Sequence, residues 1–158
     1  DMANDVLRKA YLPTLKKEIL FRAAGDSPEE LLANTHKLMR KSLSAGFPPI
    51  LSVRRYALRK EPKKNAQWTV IEGHFVTLTR MPCKLQRGDH GFAVTYVDPW
   101  RGRRCDGWIG IPERAFMEDT QGVSSCLEAV FPDAVIGKGR IRQRERTTVA
   151  VSAAIGKW

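Results

Sequence analysis

The sequence predicts an α+β fold, with N-terminal helices followed by a twisted, mainly antiparallel sheet. Two groups of residues predict it. Helical spacing with capping residues fills positions 1–46, and β-branched, aromatic runs fill 68–79 and 92–98. With 158 residues and 42% apolar content the chain suits a single domain, 1–158, with a real core. The expected division is a helical part over 1–46 and a sheet part over 47–158. No linker, repeat or low-complexity stretch splits it.

Residues 4–24 read as helix, carrying Val6, Leu7, Ala10, Leu15, Ile19 and Leu20 among lysines and arginines. Pro13 must kink that helix or restart it. Ser27, Pro28 and Glu30 then open the best-specified helix of the chain, as cap, first-turn proline and capping-box partner. Leu31, Leu32, Thr35, Leu38, Met39, Ser42 and Leu43 give it one apolar stripe, and Gly46 stops it. His36 reads as an ordinary helix histidine.

A strand is expected over 50–53, extended through 56–58, then a charged loop over 59–65. The runs over 68–79 and 92–98 follow, joined by a polar connection over 81–91. Residues 99–107 read as a turn-rich basic loop, 108–111 as a strand and 112–117 as a short helix. Residues 124–130 read as helical, 135–136 and 147–151 as strands. Lys138, Arg140, Arg142, Arg144 and Arg146 alternate strictly, which in extended chain places five cations on one side.

Net charge is +10 with a pI near 9.9, so anionic partners are favoured. That stripe, with Trp100 and Trp108, makes a basic binding module for acidic protein or nucleic acid the rival reading, with weak polyanion binding expected. No apolar run reaches the roughly 18 residues of a membrane span, and the N-terminus is not a signal peptide. Three cysteines, Cys83, Cys105 and Cys126, do not form a dense disulfide framework. Cys83, Asp89, His90, Cys105 and Asp106 are metal-ligand types without metal-ligand spacing, so neither metal nor cofactor is expected.

The chemistry concentrates on His74 and Asp98. His74 follows Gly73 in the middle of one strand, and Asp98 ends the next, held extended by Pro99. Neighbouring strands can present that imidazole and carboxylate on one rim of a sheet, as the base and orienter of nucleophilic catalysis. The structural alternative is a satisfied sheet histidine and a turn-starting aspartate.

The order of a capped helix ending in Ala45-Gly46, a strand after Phe47-Pro48-Pro49, then Gly73-His74-Phe75-Val76 and Tyr96-Val97-Asp98-Pro99 resembles the C-terminal half of papain-like cysteine peptidases. It is most similar to double-glycine leader peptidases of bacteriocin-processing type. The resemblance spans roughly 27–117. It implies a papain-like fold, a thiol-hydrolase function acting on peptide or protein, His74 as general base and Asp98 as its orienter.

Such enzymes carry the nucleophilic cysteine upstream of the histidine, after an oxyanion-hole glutamine. Here no cysteine precedes His74, and Gln67 is the one earlier glutamine. The chain also starts at Asp1 rather than methionine, so the nucleophile is expected on an upstream segment or a second chain. Within the chain, Arg103 and Arg104 leave Cys105 as only the least implausible substitute. A transglutaminase-like enzyme shares the Cys-His-Asp order.

Overall fold

A computed structural model describes residues 2–23, 27–60, 65–100, 102–113 and 123–158. Two α-helices lie among them, α1 (Met2–Lys9) and α2 (Pro28–Ser44). Nine strands accompany them: β1 (Lys16–Ile19), β2 (Arg22–Ala23), β3 (Ile50–Lys60), β4 (Ala66–Arg80), β5 (Gly91–Asp98), β6 (Arg103–Gly110), β7 (Val123–Ser125), β8 (Leu127–Val130) and β9 (Thr147–Gly156). The main sheet runs β1-β9-β3-β4-β5-β6-β8, and β8 also pairs with β9. That last pairing closes six strands, β9-β3-β4-β5-β6-β8, into an antiparallel barrel.

The expected α+β, papain-like fold is therefore corrected to a mostly antiparallel sheet closed into a barrel, with two helices. The physical reason lies in long-range pairing. Residues 124–130, expected as helix, form β7 and β8 instead, and β8 lies between β6 and β9. Val149 and Val151 pair with Arg55 and Val53, nearly 100 residues earlier. No local pattern encodes such a closure.

The N-terminal segment departs from expectation after Lys9, where α1 ends, and Tyr11 takes φ +55° two residues before Pro13. The side-chain amide of Asn4 then imitates a strand neighbour: it accepts from Leu15 N–H at 2.8 Å and donates to Leu15 O at 2.9 Å. From Lys16 the chain runs antiparallel to β9. The helical part over 1–46 thus contains two short strands. Helix α2 matches its reading closely. Ser27 Oγ accepts from Glu30 N–H at 3.4 Å, although it is Glu29, not Glu30, whose carboxylate meets the serine. Ala45 ends the helix and Gly46 turns at φ +77°.

Alternation along the strands decides what faces inward. Leu51 and Val53 of β3, Val76 and Leu78 of β4, Val94 and Tyr96 of β5, and Ile109 of β6 form one buried cluster. Leu31, Leu32 and Met39 of α2 join it. Tyr56 and Ala150 point the other way and pack with Cys126, Phe21 and Trp68 in a second, smaller cluster on the outer face. Two of the sheet's bulges flank β3. Ile71 is the extra residue where β3 pairing passes from Glu72 to Val70, and Ser152 the extra residue between β9 partners of Ser52 and Val53. Ser152 Oγ repairs its bulge by bonding Ser52 O and Ser52 Oγ at 3.0 and 2.9 Å.

Further corrections fall in the loops. Residues 103–107 belong to strand β6, not a loop, because Asp98 O accepts from Gly102 N–H and closes a tight hairpin. Residues 135–136 lie in a turn-rich stretch without strand, and 112–113 are not helical. The remainder of that expected helix, 114–117, lies outside the described residues, as do 61–64 of the charged loop.

The cation stripe over 138–146 does not exist as an extended face. Residues Lys138–Arg140 form a 3-10 turn and Arg144 takes φ +64°. Arginines instead tie this stretch to the barrel wall: Arg140 donates to Ile71 O at 3.3 Å, and Arg59 reaches Glu145 at 2.7 Å. No helix among the described residues is long and apolar enough to cross a membrane.

Gly107 stands where β6 meets Phe131: a Cβ there would lie 2.5 Å from the Phe131 ring and 2.8 Å from Val130 O. Gly107→Ala is expected to lower unfolding free energy by about 1–3 kcal/mol through overpacking. Gly73→Ala, with nothing within 4 Å of its added carbon, should stay within about 0.5 kcal/mol. Urea titrations of both variants check this.

Glu145 is held below its ordinary carboxylate range first by the Arg59 side chain and next by Arg142 N–H. A depressed folded pKa stabilises above the unfolded value and is lost as pH falls through the folded one. Acid titration of Glu145→Gln should therefore show a shallower loss of stability below pH about 4.5 than the parent.

Candidate active site

His74 lies opposite Val53 on β4, and directly opposed residues share a face of the sheet. Its side chain therefore points inward with Val76 and Leu78. Asp98 ends the inward series Phe92, Val94, Tyr96 on β5. Pairing between β4 and β5 joins Thr77 to Val97 and Leu78 to Tyr96, so His74 and Asp98 sit diagonally across the two strands. The structure brings them together. His74 Nε2 stands 3.0 Å from Asp98 Oδ1, with His74 6% exposed and Asp98 fully buried.

Asp98 is fixed from its own backbone side as well. Oδ1 also accepts Trp100 N–H at 2.9 Å, an Asx-type turn that its position before Pro99 favours. The carboxylate cannot swing away from the ring without releasing that turn. A carboxylate accepts only, so neutral His74 carries its proton on Nε2, which makes Nδ1 the lone-pair nitrogen.

Tyr96 was not singled out by sequence reading, although alternation places it on the same side as Asp98. Its ring packs tilted against Phe131 at 4.4 Å. Among the described residues, the Tyr96 hydroxyl and Asp98 Oδ2 are both buried without a hydrogen-bond partner. Burial, then the neighbouring Cys105, Asp133 and Asp98, push the Tyr96 phenol far above its ordinary range. The phenol therefore stays protonated.

The cysteines are all free; Cys105 lies diagonally across β5 and β6 from Asp98, on the same face. Cys105 faces inward opposite Tyr96, 5% exposed, its thiol 3.7 Å from Arg103 O. Burial, with Glu128 second, pushes the Cys126 thiol up to about 12. Cys83 is exposed in the connection after β4. No hydrogen bond joins His74 to a cysteine among the described residues. The Cys105 thiol bonds the Arg103 carbonyl rather than its guanidinium, which is engaged with Asp133 at 3.2 Å.

The remaining candidates resolve into structural roles. His36 is buried, bonded to Pro82 O at 3.0 Å and edge-on to Phe92; burial lowers its pKa. Asp89 braces its loop by accepting Gln86 N–H. No group of three metal-ligating side chains occurs among the described residues. Three cavities bounded by described residues, of about 550, 510 and 600 Å³, are lined by side chains other than His74 and Asp98.

Exposed apolar groups flank the pair. Phe75, on the outer side of β4, is 54% exposed, and Trp100, whose amide holds Asp98, is 78% exposed. No family model, curated protein or solved structure matches the chain.

Nitrogen-detected NMR should find the neutral tautomer of His74 protonated on Nε2 and not on Nδ1. Asp98→Ala, which strips both the ring and Trp100 N–H of their acceptor, is expected to cost about 1–3 kcal/mol. The same spectrum should then lose the Nε2-protonated signature.

Proposed function

We propose that His74 and Asp98 are the general base and its orienter in a cysteine-peptidase-type hydrolysis, with the nucleophilic cysteine supplied by another polypeptide segment. The observation that carries this reading is the 3.0 Å Nε2–Oδ1 contact, with Asp98 held from behind by Trp100 N–H. That arrangement fixes the tautomer and presents Nδ1 as the proton acceptor.

In the reaction, Nδ1 takes the proton of the incoming thiol as the sulfur attacks the acyl carbon of the peptide bond. The imidazolium so formed keeps its Nε2–H toward the Asp98 carboxylate, which stabilises the charge. Nδ1–H then protonates the departing amine, and a water activated by the same nitrogen releases the acyl group. Two buried thiols and one exposed thiol without a bond to His74 support a nucleophile from elsewhere. The exposed Trp100, whose amide holds Asp98, offers apolar surface beside the pair on which such a segment docks. The peptide nature of the substrate comes from the resemblance of the two strand motifs.

The test supplies the thiol. The chain alone should leave peptidyl reporter substrates unhydrolysed, and Cys105→Ser should change nothing. With a cysteine-bearing peptide as acyl acceptor, transfer from a peptidyl thioester should depend on His74. His74→Ala, shown folded by circular dichroism, should lower that rate by about 10²–10⁴. Equal rates in the two proteins, or turnover by the chain alone that Cys105→Ser abolishes, would contradict the proposal.

A further inference from the structure

The barrel wall opens where β8 leaves β9. Leu127 pairs with Val151 and Glu128 with Ala150, and there the pairing ends. β9 continues to Thr147 along β3, while β8 continues to Val130 along β6. Between the diverging strands lies the cavity of about 550 Å³, a volume ordinary for small-ligand sites. Trp68 and Trp108 wall it, and Glu113, Glu128, Arg146 and Thr148 supply its polar groups.

Both aromatic walls are held in place. A Cβ on Gly91 would lie 2.1 Å from the Trp108 indole and one on Gly110 only 2.0 Å from it. The ring thus lies flat on two strand backbones that only glycine leaves open to it. Trp68 carries the guanidinium of Arg146, 5.5 Å from its ring centroid. Glu128 is fixed by the Thr148 hydroxyl, which donates to its Oε1 at 2.8 Å.

We propose that this cavity, remote in its lining from His74 and Asp98, binds an organic cation: a guanidinium or alkylammonium group. Aromatic faces attract such cations through the negative face of the π system, and more strongly out of bulk water. Two carboxylates face a single guanidinium here, on a protein of net charge +10, so the lining carries an excess of negative charge. The exposed Arg146 side chain shows that the Trp68 face accepts a guanidinium, and a ligand cation displaces it. The cation arrives either as a free small molecule or as an arginine or lysine side chain of a peptide.

Titration of the ¹⁵N-labelled protein, following the indole N–H signals of Trp68 and Trp108, tests this. Methylguanidinium and N-acetyl-arginine amide should give saturable shifts with Kd on the order of 1 mM. The neutral isostere N-acetyl-citrulline amide should bind at least about tenfold more weakly, and Glu128→Gln should weaken the arginine amide by about tenfold. Glu128→Gln keeps an acceptor for Thr148, so its fold should persist; Glu113→Gln is the second variant should it not.

An arginine-centred tripeptide that binds more tightly than methylguanidinium identifies a peptide side chain as the source, and equal affinity a free small cation. Absence of saturation, equal binding of the citrulline amide, or indifference to both glutamine variants would overturn the proposal.

Discussion

Two residue pairs between β8 and β9, Leu127 with Val151 and Glu128 with Ala150, close this molecule. Without them the main sheet would be an open ribbon with β1 and β8 as free edges, and its inner face would meet water. With them, Leu51, Val53, Val76, Leu78, Tyr96 and Ile109 share one dry interior. Strand β8 is only four residues long, so the closure is a local seam rather than a full-length zipper. The aromatic cavity at its open end follows from the same shortness.

Closure also sets the chemistry of the polar residues on the inner face. An imidazole or carboxylate there must find a partner, because an unpaired buried polar group costs about 1–3 kcal/mol. His74 and Asp98 satisfy each other in part, and Trp100 N–H adds the second bond to Oδ1. Asp98 Oδ2 and the Tyr96 hydroxyl remain without partners among the described residues. An apolar pair at these positions would avoid that cost, which is why the dyad reads as a site as well as a brace for the β5–β6 turn. The brace and the base are compatible roles, since a carboxylate locked by its own turn orients an imidazole better than a mobile one.

What the sequence made legible is what short-range physics dictates. Helix α2 follows from Ser27, Pro28 and the stripe through Met39, while the cores of β4 and β5 follow from β-branched and aromatic composition. His74 and Asp98 were found because a glycine-histidine strand and an aspartate-proline strand end are local signals. Closure was not legible, because it depends on Val151 meeting Val53 and Leu127 across long stretches of chain. Residues 124–130 have apolar spacing that suits a helix, and tertiary pairing overrode it. The alternating cations failed for a related reason: Arg59 and Ile71 O recruit Glu145 and Arg140, and a turn serves those bonds better than a strand. Tyr96 carried a signal, its two-residue spacing from Asp98, but a buried tyrosine in a strand is otherwise unremarkable.

Whether His74 and Asp98 act as one unit is measured most directly by a double-mutant cycle on thiol-dependent acyl transfer, using His74→Ala, Asp98→Ala and the combined variant, each confirmed folded. Groups that work as a unit give strongly non-additive losses. The predicted result is that the double variant is no slower than His74→Ala alone, because the carboxylate acts only through the ring. Losses that multiply, or rates unchanged while only stability falls, would show that the pair is a structural brace and not a catalytic dyad.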